Sequence, residues 1–512
     1  MLISRSITLN ISNGSSITSG ADPDRDFSSR NGDPDDYYFS HSNLGGHFWI
    51  RNSADEWISL SEAAFRRYLK KERGKRGKPM PGQALSECDE VISHVERERR
   101  VDYAGELAGY AAGFQIISGQ RVLIPRSPDM IQPTPGEWPT LRAYFDGLLV
   151  GEELDADGGR PVKIDQRDRF WAWHRHLMEC YMNRVIAPGL ALCVAGEADS
   201  GKSRLAMILR WCLGDRVAKP YDFMIGRDNF NKDTYSAVLQ LVDDENADTR
   251  IDARLKFGAQ IKKIVANDEG KMRGMHRDGL SFQVLPRLLV LVNLEANRLM
   301  VMPPIDGDIK DKLLMLKGYK PPAPPHPITM DTPPEAACWP MPMPTRTETE
   351  KAALRTRWRA ELPRYLHWLL FEYKVPSEVS GGRFSVRHWQ HPQILERLQQ
   401  FSPHARMWQM IESAHIVFND YDPGDASRPA SSTPRDQWNG TARELFDLLK
   451  STRSRLTEDE KKSVPEPAWL GQRLEECRNH FGPEICEQRR TIYKGVQGAR
   501  VWILRRSAHL CG

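Results

Sequence analysis

Residues 196–203 form a segment whose residue types suit the binding of phosphate groups. The segment matches the pattern G-x-x-x-x-G-K-[ST] at every defined position and lies between an apolar run, residues 190–195, and a helix-like stretch, residues 204–213. Backbone N–H groups of such a loop and the N-terminus of the following helix form a concave anion site. We expect Lys202 to reach the β- and γ-phosphates of ATP and Ser203 to bind Mg²⁺. The predicted ATP ligands, here called the glycine loop, are Gly196, Glu197, Ala198, Asp199, Ser200, Gly201, Lys202 and Ser203.

Acidic residues follow a second apolar run, which spans residues 237–242 and is typical of a buried strand. The run leads directly into Asp243, Asp244 and Glu245. Carboxylates at the end of a strand can divide two tasks, since one can hold Mg²⁺ and another can polarise the attacking water. We assign Asp243 to the metal and leave the division of catalytic roles among the three acids open.

A third apolar run, residues 287–292, ends at Asn293. The carboxyl ends of strands in open α/β sheets form the edge where nucleotides bind. We therefore expect the Asn293 side chain to sense the γ-phosphate. These three motifs predict an α/β fold of the P-loop NTPase class, in which helices cover a parallel sheet.

A basic segment precedes the third run. Residues 270–279 begin and end with glycine and carry four side chains suited to a DNA backbone, namely Lys271, Arg273, His276 and Arg277. Such a segment between two strands can follow phosphates in a positively charged groove. We predict that it contacts single-stranded DNA.

The order and spacing of these motifs resemble the core of superfamily 3 helicases. Asp228 to Asn231 before the acidic strand and the segment 270–279 before the Asn293 strand are similar to the primase-helicase proteins of phages, plasmids and integrated elements, which are relatives of the poxvirus primase-helicase. The resemblance is specific over about residues 190–320. It implies an AAA+-like core, a homo-hexameric ring and a hairpin at 270–279 that grips single-stranded DNA.

The same resemblance implies that a neighbouring subunit presents a cation to the γ-phosphate. The matching element after the Asn293 strand is imperfect in this chain, and the candidates are Lys312 and Arg298. Relatives often carry a primase ahead of the helicase. Its paired carboxylates have no counterpart here, so this chain is expected to be the helicase part and to work with a separate primase or polymerase.

The composition limits the class of protein. The chain has 512 residues, a formal net charge of +4 and eight cysteines without a C-x-x-C pair. The mild charge predicts local DNA contacts, and the cysteine pattern favours neither zinc nor disulfides, which suits a cytoplasmic protein. The sequence contains no long uncharged apolar stretch, so we expect no membrane partner.

Changes in composition predict seven segments along the chain. The predicted C-terminal module reads as two helices, 441–450 and 467–481, followed by a hairpin, which is typical of a winged helix. Arg473 and Lys494 are its candidate contacts to duplex origin DNA, and its glutamates keep a protein-binding role open. The segments are a disordered tail (1–36), an α+β region with a helical collar (37–189), the ATPase core (190–320), a Pro-rich connector (321–349), a helical extension (350–419), a linker (420–436) and the winged helix (437–512).

These expectations describe an ATP-dependent, ring-forming DNA helicase that acts in the replication of a phage, plasmid or integrated mobile element. Two other functions are compatible with the sequence. One is an initiator that binds origin DNA and uses ATP only to control assembly. The other is an ATPase of antiviral defence that is triggered by nucleic acid.

Overall fold

The computed structural model describes most of the chain. The described residues form two compact units, of which the first includes 37–243 and most of 256–390, and the second includes the residues from 391 onward together with the short segments 250–255 and 296–308. The described ranges are 37–42, 45–54, 56–154, 159–243, 250–266, 269–273, 279–305, 307–320, 347–400, 403–414, 416–418, 437–452 and 454–506. The predicted tail, the Pro-rich run and the linker 420–436 lie outside these ranges.

A small α+β subdomain opens the first unit. Two helices pack on one face of a four-stranded sheet of order β3-β2-β1-β4, and their shared core contains Phe48, Phe65 and Val95. The sequence pattern predicts a hairpin of 47–52 and 56–60 and an amphipathic helix that Ser61 and Glu62 open. Strands β2 and β3 and helix α1 confirm this prediction, and the Ser61 hydroxyl caps the helix by accepting from the Ala64 N–H. The elements are β1 (Tyr38–Ser42), β2 (Gly45–Arg51), β3 (Trp57–Ser61), α1 (Glu62–Glu72), α2 (Glu87–Glu98) and β4 (Arg100–Val101).

The next stretch leads to the central sheet. The sequence pattern predicts strands at 114–117 and 121–124 and helices at 139–150 and 166–182, and all four are present with bounds that differ by one residue. Strands β5, β8 and β9 were not predicted. The elements are β5 (Tyr103–Ala104), β6 (Gly113–Ile117), β7 (Gln120–Ile124), α3 (Pro139–Leu149), β8 (Val150–Leu154), β9 (Pro161–Asp165) and α4 (Arg167–Met182).

A six-stranded sheet forms the centre of the first unit. Its order is β11-β12-β15-β10-β16-β17, and every neighbouring pair is parallel. Its three longest buried strands, β10, β15 and β16, are nearly all apolar, as expected for strands covered on both faces. The elements are β10 (Ala191–Gly196), α5 (Lys202–Cys212), β11 (Val217–Ala218), α6 (Tyr221–Ile225), α7 (Lys232–Ser236), β12 (Leu239–Asp243), α8 (Ile251–Ala266), β13 (Gly270–Met272), β14 (Leu280–Phe282), β15 (Arg287–Asn293), α9 (Ala296–Leu299), α10 (Gly307–Lys310), β16 (Leu313–Gly318) and β17 (Trp389–Gln390).

An aromatic helical layer lies beside this sheet. Helix α11 (Glu348–His367) runs into a π-helical turn (Trp368–Glu372) and packs on α3. The carboxylate of Glu361 accepts hydrogen bonds from the backbone N–H and hydroxyl of Thr140 and, at 2.8 Å, from the N–H of Leu141. This carboxylate therefore caps the N-terminus of α3, where the exposed N–H groups favour negative charge.

The second unit has its own hydrophobic core. Trp408 on α13 packs in the same core as Leu445, Leu474 and Trp502, so the described helix before residue 420 shares its apolar contacts with the predicted terminal module. The two predicted helices are present, while the strand β18 and helix α15 were not predicted. The elements are α12 (Pro392–Gln400), α13 (Pro403–Ser413), β18 (Gln437–Gly440), α14 (Ala442–Lys450), α15 (Glu458–Ser463), α16 (Pro467–Phe481), β19 (Cys486–Tyr493) and β20 (Val496–Arg505).

Two absences concern the described residues only. None of their helices is both long and apolar enough to cross a membrane. The described cysteines form no disulfide bond and all of them are buried, namely Cys88, Cys180, Cys193, Cys212, Cys477 and Cys486.

Candidate functional site

The glycine loop connects the end of β10 to the start of α5. Gly201 has a φ of +92°, in the left-handed region, and stands immediately before the first helical residue. Glycine adopts this conformation without the steric penalty of a Cβ atom. The backbone therefore turns sharply and directs the N-terminus of α5 into the loop, which is the arrangement that attracts anions.

The ammonium group of Lys202 lies inside the loop. It donates hydrogen bonds to the carbonyl oxygens of Gly196 (3.0 Å) and Glu197 (2.7 Å) and to the Ser200 hydroxyl (3.2 Å). Lys202 and Ser200 are buried, whereas Glu197, Asp199 and Ser203 are exposed. A positive charge is thus held within a turn of backbone, close to the position that the sequence motif assigns to phosphate.

Two strands approach each other closely beneath the loop. Gly196 at the end of β10 pairs with Gly318 at the end of β16, and a Cβ atom on Gly196 would lie 2.4 Å from the Gly318 carbonyl oxygen. A real Cβ contact does not reach this distance, so a side chain at residue 196 would force the two strands apart. The pair of glycines lets the floor of the loop pack directly on β16.

Helix α3 supports the loop from the side. The hydroxyl of Tyr144 donates a hydrogen bond of 3.1 Å to the carbonyl oxygen of Gly201. Tyr144 is fully buried, and burial raises the pKa of its phenol, so the group keeps its proton and remains a donor. Tyr144 thereby links the loop to the aromatic layer that contains Trp358.

The predicted polar residues reach the same edge of the sheet. Asn293 pairs in parallel register with Gly196, and the N–H of Leu294 donates to the Gly196 carbonyl oxygen at 3.1 Å. Asp243 ends β12 and pairs with Leu291, on the side of β15 away from the glycine loop. The strand order therefore gathers Asp243, Asn293 and Gly196 at one carboxyl edge. Asp244 and Glu245 lie outside the described residues.

The chemistry of this edge suits a nucleotide and a hard cation. Ser203 and Asp243 supply oxygen atoms, the ligand type that Mg²⁺ prefers. Arg204, two residues after Lys202, interacts electrostatically with Asp199 of the glycine loop, and burial lowers the pKa of its guanidinium while leaving the group charged at neutral pH. Within the described residues no group of three or more His, Cys, Asp or Glu side chains that could hold a metal ion is present.

Lys312 and Arg298 are the candidate cations that a neighbouring subunit would present to the γ-phosphate. Lys312 lies away from the carboxyl edge of the sheet, and Arg298 belongs to the second unit. Lys312 immediately precedes β16, and its carbonyl oxygen accepts from the N–H of Ala191, the first residue of β10. Lys312 is therefore at the amino edge of the sheet, opposite the glycine loop of its own chain, and its ammonium contacts Asp311 at 2.7 Å. Arg298 lies on the short helix α9, whose residues belong to the second unit.

The basic segment forms the base of a hairpin. Strands β13 and β14 pair antiparallel, with Lys271 opposite Ser281, and Lys271 and Arg273 are exposed. The intervening residues, which include His276 and Arg277, lie outside the described part of the chain.

A buried asparagine, Asn231, holds one strand of this hairpin. Its side-chain amide donates to the carbonyl oxygen of Lys271 at 3.1 Å and accepts from the N–H of Arg273 at 2.6 Å, while its own N–H donates to the Arg273 carbonyl oxygen at 3.1 Å. Three hydrogen bonds therefore fix the backbone that carries both cations.

The two candidate DNA contacts of the C-terminal module are engaged within it. The guanidinium of Arg473 contacts Glu476 at 2.6 Å, and the ammonium of Lys494 contacts Glu444 at 2.5 Å. Phosphate binding by either cation would compete with these carboxylates, so their role in DNA recognition stays a prediction.

Several residues that shape the site were not predicted. Strand β16 was missed, although the apolar run of residues 313–316 was a visible signal. Tyr144 and Asn231 act through long-range hydrogen bonds to the backbone, one for Tyr144 and three for Asn231, for which a sequence pattern gives no sign. Gln166 is a further example, because its buried amide bonds both the N–H and the carbonyl oxygen of Lys317.

Comparison with known proteins gives structural matches, and the three described below share 8–11% sequence identity with this chain. No family model matches the chain, and no curated protein matches it significantly. The apo C-terminal region of NrS-1 aligns with a TM-score of 0.48 and 9% identity over 92% of this chain and 97% of that chain. The JCV helicase aligns at 0.22, with 11% identity over 48% and 64%, respectively. The active helicase Cch of SCCmec type IV aligns at 0.25, with 8% identity over 86% and 73%. Assignment of function therefore rests on the residues of this chain.

Proposed function

We propose that this protein is an ATP-dependent DNA helicase of the superfamily 3 type, which acts in the replication of a phage, plasmid or other mobile element. The observation that carries the proposal is the convergence of the glycine loop, Asp243 and Asn293 at one carboxyl edge of a parallel sheet. These motifs are at least 40 residues apart in the sequence, yet the strand order brings them together. That edge is where nucleotides bind in open α/β sheets.

In the proposed reaction, Mg²⁺ and ATP supply the phosphoryl group that is transferred to water. Lys202 would exchange its carbonyl acceptors for phosphate oxygens, which are stronger partners because they are charged. Ser203 and Asp243 would hold the metal. One of the remaining acids, Asp244 or Glu245, would orient the attacking water, and Asn293 would contact the γ-phosphate. A cation of a neighbouring subunit, Lys312 or Arg298, would complete the site in a homo-hexameric ring.

The proposed DNA contact is the basic hairpin. Lys271 and Arg273 are exposed on a strand that Asn231 fixes, and an immobilised cation loses less entropy when it binds a phosphate than a cation on a mobile loop. His276 and Arg277 would extend this contact along single-stranded DNA. The conformational difference between the ATP-bound and ADP-bound states of the site would shift the hairpin and so move the bound DNA strand.

Purified protein tests this proposal directly. ATP hydrolysis should rise when single-stranded DNA is added, and the protein should displace one strand of a forked duplex in the presence of Mg·ATP. Lys202→Ala should abolish both activities with the fold intact. Lys163→Ala, which changes an exposed lysine on β9, should leave them unchanged.

The outcome also separates the other two functions. ATP-dependent assembly on a specific duplex with negligible strand displacement would favour an initiator. An ATPase stimulated by nucleic acid that displaces no strand and recognises no specific duplex would favour a defence ATPase. Equal ATP turnover in Lys202→Ala and in the parent protein would reject the nucleotide site itself.

A further inference from the structure

Positive charge is concentrated at one place in the chain. Residues 62–78 contain eight Lys and Arg residues and two Glu residues, a net charge of +6, whereas the whole chain has a net charge of +4. All other residues together are therefore slightly acidic. The charged segment consists of helix α1 and the loop that follows it, in the N-terminal subdomain and outside the proposed ATP site.

The fold places these cations on one surface. Phe65 and Leu69 point into the core of the subdomain, so Arg67, Lys70 and Lys71 lie on the exposed side of α1. Residues spaced by three and four positions are neighbours on a helix surface. The following loop adds exposed lysines at positions 75 and 78. We call Arg67, Lys70, Lys71, Lys75 and Lys78 the basic surface.

The loop of the basic surface is fixed to helix α2. The backbone N–H of Arg76 donates to the Glu87 carboxylate at 2.9 Å, and its side-chain Nε donates to the same group at 2.8 Å. These bonds lower the pKa of Glu87, so the contact persists at neutral pH. The Cys88 N–H also donates to the Arg76 carbonyl oxygen at 3.1 Å. The backbone between Lys75 and Lys78 is therefore held in place without using either lysine.

Most cations of the basic surface keep their charge available. Within the described residues, Arg67, Lys70, Lys75 and Lys78 have no carboxylate within ion-pair distance. Lys71 has a weak exposed contact of 3.6 Å to Glu72. Two acidic residues of α2 pair with other arginines. Asp89 contacts Arg66 at 2.5 Å, and Glu87 contacts Arg76.

The surroundings favour a ligand that offers phosphate without exposed bases. Surfaces for single strands combine cations with aromatic rings on which bases stack. Tyr68, the aromatic residue nearest these cations along α1, is half-buried, and the guanidinium of Arg73 lies 5.8 Å from the centre of its ring. Duplex DNA presents a dense row of phosphates and keeps its bases stacked inside.

We propose that the basic surface binds the phosphate backbone of duplex DNA without sequence preference. In the context of the proposed function, it would hold the duplex ahead of the site that acts on the single strand. This role rests on the proposed helicase function, but the binding itself requires neither ATP nor a competent glycine loop.

The test compares two charge-reversal variants of the full chain. The first carries Arg67→Glu, Lys70→Glu and Lys75→Glu. The matched control carries Arg383→Glu, Lys163→Glu and Lys374→Glu, which are exposed positions of the first unit and produce the same change in net charge. Fluorescence anisotropy without nucleotide measures binding to a random-sequence duplex and to an oligo-dT strand over a range of salt concentrations.

The first variant should bind the duplex about tenfold more weakly. It should lose two to three phosphate contacts. The slope of log K against log salt concentration should therefore become shallower by about 0.9 for each lost contact. Oligo-dT binding and ATP turnover on oligo-dT should change less than about threefold. An equal loss in the control would show a general charge effect and overturn the proposal, as would unchanged duplex binding or a loss confined to oligo-dT. If circular dichroism shows that the first variant is unfolded, Arg67→Gln with Lys75→Gln replaces it, with the same criteria.

Discussion

The hydroxyl group of Tyr144 donates a hydrogen bond to the carbonyl oxygen of Gly201, the last residue before the helix that begins with Lys202. This bond joins the glycine loop to helix α3. The N-terminus of the same helix is capped by Glu361 of α11, so a chain of contacts runs from the aromatic layer to the loop.

Tyr144→Phe should weaken ATP binding while preserving the fold. The substitution removes one hydroxyl and keeps the aromatic packing, and a hydrogen bond of this type contributes about 1 kcal/mol, or about fivefold in affinity. We expect the KM for ATP to rise by about that factor with a smaller change in kcat. Tyr365→Phe is the matched control, since that buried tyrosine bonds His174 and not the loop. Identical KM values for the two variants would contradict a role of Tyr144 in positioning the loop.

Asn231→Ala should impair DNA binding without removing a positive charge. It breaks the side-chain bonds to the backbone of Lys271 and Arg273, so the hairpin loses its fixed geometry. We expect single-stranded DNA affinity to fall by about 25-fold, in line with two lost hydrogen bonds of about 1 kcal/mol each, and basal ATP turnover to persist. Asn229→Ala, an exposed neighbour, is the control.

The salt dependence distinguishes this effect from a loss of charge. Neutralising Lys271 and Arg273 should flatten the log–log salt dependence of single-stranded DNA binding, whereas Asn231→Ala should keep most of it. A flat salt dependence in both variants would mean that Asn231→Ala abolishes the phosphate contacts of Lys271 and Arg273 themselves.

The acidic residues at the end of β12 should separate binding from hydrolysis. Asp244→Asn is expected to bind ATP with near-normal affinity and to lose most turnover, because a group that orients water acts mainly in the transition state. Binding is measured with a fluorescent ATP analogue and turnover by phosphate release. An inactive Glu245→Gln beside an active Asp244→Asn would assign the water to Glu245.

The stability of the first unit should fall on acidification because of His174. Burial lowers the pKa of His174 to about 3, while a histidine in the unfolded chain has a pKa of about 6.5. Between these values the unfolded state binds an additional proton, so its relative free energy falls as the pH decreases. The stability contribution is complete above pH ~6.5 and is lost towards pH ~3.

This linkage should lower the free energy of unfolding by about 1.4 kcal/mol between pH ~7.5 and pH ~5.5. Urea unfolding followed by tryptophan fluorescence measures the pH dependence for the parent and for His174→Asn, which cannot titrate. The variant should lose this part of the dependence. His367→Asn, a variant of a histidine beside Glu372, should retain it. An unchanged pH dependence in His174→Asn would assign the acid sensitivity to other groups.

Trp408→Ala should destabilise the C-terminal module although residue 408 precedes the predicted linker. Trp408 is fully buried and lies in the core that also contains Leu474 and Trp502. Removing a buried tryptophan side chain typically costs about 3–5 kcal/mol. Limited proteolysis should then cleave between α14 and β20 much faster than in the parent, and an intact module would show that its core is independent of α13.

The sequence predicted the strands that lead into the candidate site, because buried parallel strands are nearly continuous apolar runs and their polar C-terminal residues stand out. The bounds of β10 and β15 agree with the prediction to within a residue, while β12 begins two residues later than predicted. The register was not predictable. That Asn293 pairs with Gly196 depends on the strand order, which follows from packing of the whole sheet.

The parts that were missed depend on contacts between distant segments. Nothing in the sequence of α11 distinguishes Glu361 from other glutamates. Only the fold brings it to the N-terminus of α3, where it contacts Thr140, a residue 221 positions away in the sequence. The predicted break near residue 420 followed the Asp, Pro and Ser composition, but composition does not report which helices share a core. The apolar face of α13 belongs to the same hydrophobic core as α14 and α16, which only the structure shows.

The buried cysteines make this protein convenient for spectroscopic labelling. Burial raises the pKa of Cys193 and Cys212 to about 12, and the other described cysteines are buried as well. Maleimide reagents need an accessible thiolate, so these thiols should react slowly in the native protein. Once Cys338 and Cys511 are replaced by serine, a single new cysteine at Asn229 or Lys78 would carry a fluorophore beside the hairpin or on the basic surface. Energy transfer to labelled DNA could then report the arrival of single strand and duplex separately, in real time.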